Sequence, residues 1–258
     1  MTALWSMSYN VRYDTPEDGD DVWDERRDAV ADVVRSRRPD IVGYQEPLPH
    51  QLADLRERLP AYEIVGRGRN ADGSGERSPI GFRRDRFSML DRETFWLSET
   101  PENPGSVGWD AELPRIATRL RLRDERTGRT LTHCNTHLDY DGARARREAA
   151  SLLARRLDGD GATILTGDFN CEADSPPYRR LVEGGFRDAR SASDFSPFGP
   201  HTTRTDFGSL HPDWIIDHVF VDGPLSVRQC GICSETDRRH QYPSDHLPVL
   251  AELRYEDR

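Results

Sequence analysis

Lysine is missing from this chain of 258 residues, and all 36 of its bases are arginine. With 46 acids the formal charge is −10 and the pI about 5.3. Bulk electrostatics therefore disfavour a polyanionic partner, although a locally positive cleft remains open to one. The missing lysine reads as GC-rich coding, and together with the acidic excess as a salt-adapted or high-GC source. No stretch approaches the roughly 20 apolar residues that a bilayer crossing needs. The opening MTALWSMSYNVRYD has neither a basic segment nor a long apolar run. Membrane insertion and secretion are not expected, and the chain is expected in the cytoplasm. Cysteine is scarce, at positions 134, 171, 230 and 233, which excludes a disulfide scaffold. Cys230 and Cys233 form one CxxC, but zinc would want a second ligand pair nearby, so these read as plain thiols. There is no internal repeat, no coiled-coil heptad pattern and no linker-like stretch. A single domain over residues 1–258 is expected, with no obligate protein partner.

What is present suffices for a core. Five Trp, eight Tyr and nine Phe offset a mean hydropathy of −0.80. Short apolar runs predict strands at Ala3–Asn10, Ile41–Tyr44, Pro79–Phe82, Phe87–Trp96, Ile116–Arg123, Thr130–Thr136, Thr163–Thr166, Ile215–Val221 and Pro248–Leu253. Helical spacing predicts Asp24–Arg37, with Asp24 as its cap, a second helix carrying Leu48, Leu52, Leu55 and Leu59, and a third at Ala143–Leu157. The Gly- and charge-rich stretch GRGRNADGSGERS is a loop. Helices are few for so many strands, and several strands adjoin through short turns. That excludes a purely parallel doubly wound sheet and favours two packed mixed sheets with helices outside, an α/β (α+β) architecture.

Polar residues recur just after the short strands: Asn10 (SYN), Glu46 (YQE), His137 (NTHLD), Asp168 and Asn170 (GDFN), Asp217 (IIDHVF), and Asp245 with His246 (SDH). Several such ends on one sheet edge would form a cleft. An Asp after a strand is often only a turn or a helix cap. As a set these residues supply hard oxygen ligands for Mg²⁺, a carboxylate base and imidazole donors.

In this order SYN, QE, THLD, GDFN, IDHVF and SDH resemble the endonuclease/exonuclease/phosphatase superfamily, the deoxyribonuclease-I-like fold, over nearly the whole chain from about Leu4 to Leu250. The intervening text resembles a prokaryotic branch of undefined substrate. The resemblance implies a four-layer α-β-β-α sandwich and a Mg²⁺-dependent phosphoesterase in which Mn²⁺ substitutes. It makes Glu46 the principal metal ligand, with Asn10 beside it and Asp245 contributing. Asp168 would take the proton from the attacking water, while Asn170 holds that water or a phosphate oxygen. His246, oriented by Asp217, would stabilise the phosphoryl transition state or protonate the leaving group. His137 would contact another phosphate oxygen, with Glu76 orienting it. His218 stands where the family often has Tyr or Trp, which leaves a surface arginine as the alternative partner of Asp217.

The catalytic set does not choose a substrate. The superfamily spans DNA nucleases, abasic-site endonucleases, RNA deadenylases, sphingomyelinases and inositol-polyphosphate phosphatases. The chain has no basic arm for processive duplex binding and no apolar hairpin for a lipid surface. Single-stranded nucleic acid and a small sugar or inositol phosphate both fit, and the acidic surface tilts the reading towards a small substrate. Arg69, Arg115 and Arg144 are candidates to grip a second phosphate or sugar acid. Trp96, Trp109 and Trp214 read as packing residues, with a substrate pocket as the sharper alternative for one of them. A binding module that kept the fold but lost turnover is the rival from another class.

Overall fold

Strand side chains alternate between two faces, and in this protein both faces of the central strands are covered. A computed structural model describes residues 3–256. The single-domain expectation covered 1–258, so its residues 1–2 and 257–258 lie outside the described ones. Numbered along the chain, one sheet runs β11 (Leu225–Ile232), β12 (Val249–Tyr255), β1 (Leu4–Asn10), β2 (Ile41–Gln45), β4 (Ile80–Arg83), β3 (Tyr62–Val65). The other runs β5 (Phe87–Trp96), β6 (Ile116–Asp124), β7 (Thr130–His137), β8 (Thr163–Asp168), β10 (Asp217–Asp222), β9 (Arg187–Asp188). Both sheets are mixed. β1 pairs with β2 in parallel, as β7 does with β8, and the remaining pairings are antiparallel.

Three apolar clusters fill the three interfaces of this sandwich. Between the sheets lie Leu4, Ile41, Phe82, Leu131, Ile164, Val219 and Leu253. Helices α1 (Trp23–Arg37) and α2 (Pro49–Arg58) cover the first sheet, packing Val30, Val34, Leu52 and Leu55 on Met7, Tyr9 and Tyr44. Helices α3 (Ala143–Leu157) and α4 (Pro176–Glu183) cover the second, packing Ala150, Leu153 and Leu181 on Cys134, Leu165 and Phe220. The four-layer expectation holds.

The inward positions of the central strands carry a gradient. β1 reads Leu4, Ser6, Ser8, Asn10; β2 reads Ile41, Gly43, Gln45. β7 reads Leu131, His133, Asn135, His137, and β8 reads Ile164, Thr166, Asp168. Each strand is dry at its start and polar at its end. The polar ends meet across the interface, where Gln45 Nε2 donates to Asn135 Oδ1 (2.7 Å) and Thr166 Oγ1 to the same oxygen (3.0 Å). Gly43 permits this approach, since a Cβ there would collide with Thr166 and Asn135.

Several elements depart from the sequence reading. β7 and β8 run on to His137 and Asp168, beyond the expected Thr136 and Thr166. Val22, not Asp24, caps α1; Asp24 sits in the first turn, where a carboxylate favours the helix dipole. β3, β9, β11 and α4 were not anticipated. A register shift between Val227 and Gln229 breaks the alternation of β11. Pro176 and Pro177 open α4, where missing N–H groups are harmless. Cys230 packs between the sheets and Cys233 under the helices, so the CxxC thiols face different layers.

Candidate active site

Parallel pairing brings the carboxyl ends of β1 and β2 to one edge, and those of β7 and β8 to the matching edge of the other sheet. Register sets Asn10 beside Gln45, His137 beside Asp168, and Asp217 opposite Asp168. Asp245 and His246 precede β12, which runs antiparallel to β1. Glu46 and Asn170 follow strand ends with φ of 75° and 47°. Asn tolerates the left-handed region, but Glu46 there marks stored backbone strain of about 1–3 kcal/mol.

Asp168 is the hub of this cluster. Its Oδ1 accepts from the Asn170 N–H (2.9 Å) and its Oδ2 from Asn10 Nδ2 (3.0 Å). The same Oδ2 lies 3.5 Å from the Nε2 atoms of both His137 and His246. Asn10 Nδ2 also donates to Glu46 Oε1 (2.9 Å), while Tyr13 N–H holds Glu46 Oε2 (2.8 Å). His246 Nδ1 donates to Asp217 Oδ2 (2.8 Å), which fixes the ring and leaves Nε2 turned to Asp168. The pairing with a surface arginine considered for Asp217 is therefore not found. His218 instead lies between Asp188 and the Cys171 carbonyl. Asn170 Nδ2 donates to His137 Nε2 (3.1 Å).

Burial and surrounding charge spread the protonation tendencies of these groups. Burial and neighbouring Asp217 push Asp168 up to about 7. Burial opposes protonation of His246, but Asp217, Asp168 and Asp245 outweigh it and carry the ring up to about 9. Burial, with Arg115, His246, Arg69 and Arg204 around it, holds His137 well below the usual histidine range. Such divergence between adjacent groups is characteristic of acid–base sites.

Two donor sets fit a hard divalent cation. Ligand atoms of Glu46, His137 and Asp168 lie within 4.8 Å of one another, and so do those of Asp168, Asp217 and His246. Both sets are rich in carboxylate, the second fully buried and the first buried but for a slightly exposed His137, and the buried Asp217 Oδ1 has no partner among the described residues. Two expected ligands are placed differently. Asn10 turns its amide nitrogen to the carboxylates, because its oxygen accepts from the Arg12 N–H (3.0 Å). Asp245 falls outside both sets and accepts from Arg204 Nη1 (3.1 Å).

The candidate substrate residues divide. Arg69 and Arg115 line a small cavity with Glu76 and His137. Glu76 accepts from Arg69 (2.8 Å), and Arg115 donates to Asp139 (3.1 Å). The expected Glu76–His137 contact is replaced by that Arg69 pair. Arg144 is exposed on α3 and does not line the adjoining cleft, whereas Arg146 does. That cleft, about 690 Å³, opens from Asn170 and is lined by Tyr140, Arg146, Glu172, His211, Asp213 and Trp214 among others. Of Trp96, Trp109 and Trp214, it is Trp214 that lines this cleft. Arg204 was missed by the sequence reading. An antiparallel bridge to His246 brings it in, and no local pattern signals such pairing.

The sequence profile of the Endonuclease/Exonuclease/phosphatase family matches residues 7–246. A Bacteroides vulgatus endonuclease/exonuclease/phosphatase of known structure is 36% identical, with a TM-score of 0.94 over 99% of this chain and 100% of that one. The Bacteroides thetaiotaomicron mannosyl-6-phosphatase is 35% identical, with a TM-score of 0.90 over 98% and 100%. An uncharacterised protein of Acanthamoeba polyphaga mimivirus is 26% identical over 246 residues, 88% of this chain and 91% of its own.

Proposed function

Because this chain belongs to the endonuclease/exonuclease/phosphatase family, whose members hydrolyse phosphoester bonds, we propose that it cleaves a small organic phosphate, with a sugar phosphomonoester as the favoured class. The observation that carries the reading is the convergence of Asn10, His137 and His246 on one oxygen of Asp168. Glu46, with Asp168 and His137, would hold Mg²⁺ or Mn²⁺, and the ion when bound would neutralise charge on the phosphoryl group. Asp168 accepts the proton of the attacking water, and Asn170 orients that water. As water adds to phosphorus, the bond to the leaving oxygen breaks in line. His246, held by Asp217, stabilises the oxygens or protonates the departing one.

Identity of 35% to a mannosyl-6-phosphatase supports the small-substrate class. So does the cleft itself. Arg146 shares its lining with Glu172 and Asp213, whereas a groove that tracks a nucleic-acid backbone is positively charged. No helix among the described residues is long and apolar enough to cross a membrane.

The test is Mg²⁺- and Mn²⁺-dependent hydrolysis of nitrophenyl phosphate against bis-nitrophenyl phosphate, with Asp168→Ala as control. Metal-dependent monoester cleavage, lost in the variant, is expected. Diester preference would redirect the reading to nucleic acid. Metal binding without hydrolysis of either would favour the binding module.

A further inference from the structure

Arg204 has no part in the mechanism above, yet its side chain reaches the reaction centre. Its backbone is fixed from both sides, since Thr205 N–H donates to the Asp245 carbonyl (2.8 Å) and Leu247 N–H to that of Thr203 (2.8 Å). Arg204 therefore runs alongside His246 as a short antiparallel bridge. Its guanidinium lies over the Trp214 ring, 5.6 Å from the centre, which limits its swing. From there Nη1 reaches Asp245 Oδ2 (3.1 Å) and contacts His246 Nε2. That Nε2 is the free edge of the ring, because Nδ1 is committed to Asp217.

A guanidinium carries five N–H donors in a planar fork. Here Nη1 donates to Asp245 Oδ2 and touches His246 Nε2, while Nε is buried without a partner among the described residues. An unpaired buried donor is costly, and an incoming anion would relieve it. Asp245 answers one unit of positive charge, but Arg12 and Arg26 act on the same carboxylate. Asp245 is thus shared among three guanidinium groups and does not neutralise Arg204 alone.

We propose that Arg204 is a further catalytic residue, binding a non-bridging phosphoryl oxygen between its guanidinium and His246 Nε2, with Trp214 as its positioning residue. This rests on the phosphoester reading above.

The experiment titrates inorganic phosphate calorimetrically at fixed Mg²⁺ into wild type, Arg204→Ala, Arg204→Gln, Arg204→Lys and Trp214→Ala. Hydrolysis is measured alongside, with thermal melts to establish folding. Loss of one such donor costs about 10²-fold in turnover. We expect that loss in the Ala and Gln variants, with phosphate affinity down about tenfold. Added guanidinium ion should restore activity to Arg204→Ala and not to wild type. Arg204→Lys should retain part of the activity, and Trp214→Ala should be milder than Arg204→Ala. Unchanged phosphate affinity in folded Arg204→Ala would overturn the proposal, leaving Arg204 a counter-ion of Asp245. Higher activity in that variant would also overturn it, making the side chain a plug. If wild type binds phosphate through Arg204 but hydrolyses no phosphoester, the functional reading fails while the anion site stands.

Discussion

Asp168 and His133 occupy inward positions on adjacent strands, yet their surroundings give them opposite fates. Asp168 lies among donors and a second carboxylate, and its replacement should be felt in chemistry. Asp168→Ala and His246→Ala should each lower turnover by about 10² or more while melting as the wild type does. Near-normal activity in either would break the scheme. Glu46→Ala should weaken Mg²⁺ binding in a calorimetric titration, and unchanged binding would move the metal elsewhere. His133, buried between the sheets against Ser6 Oγ (3.4 Å), is held neutral down to about 3 by burial alone. The unfolded chain binds its proton near 6.5. Stability is thus complete above that value and falls as pH drops from there towards 3. Lowering the pH to about 5 should cost about 2 kcal/mol through this residue. Unfolding free energies from urea titrations at pH 7 and pH 5 should converge in His133→Leu by that amount. An equal acid loss in the variant would place the sensitivity elsewhere.

Among the elements, the two central parallel pairs govern how closely the sheets approach. Gly43→Val would force Thr166 and Asn135 apart and should cost about 1–3 kcal/mol in urea unfolding. A neutral result would show that the sheets yield at that point. These pairs were also the most legible part of the sequence, because apolar runs ending in Asn, Glu, His or Asp announce both a strand and its exit. The same signal set the ends of β7 and β8 too early, since polar His137 and Asp168 still belong to their ladders. β11 was illegible because its bulge shifts the inward phase from Val227 to Cys230. Arg204 and the turned amide of Asn10 depend on contacts from distant segments, which no local pattern records. Arg146 was visible as a basic residue, but which of three neighbouring arginines faces the cleft depends on how α3 is rotated.

For the molecule as a whole, the charge of −10 implies self-repulsion that added salt would screen. The melting temperature should rise from low to molar salt, and a flat profile would count against salt adaptation. The sheet order carries a different consequence. β1 lies between β2 and β12, paired from Leu4↔Leu253 to Ser8↔Val249. In synthesis β1 therefore waits for β12 before its second ladder can close. Until then a nascent chain displays β1 as an open edge, a template for pairing with other chains. His246 emerges just ahead of β12. A chain broken off short of it would leave both an unpaired edge and a reaction centre without its imidazole, so closure of the sheet and assembly of the site hang on the same short segment.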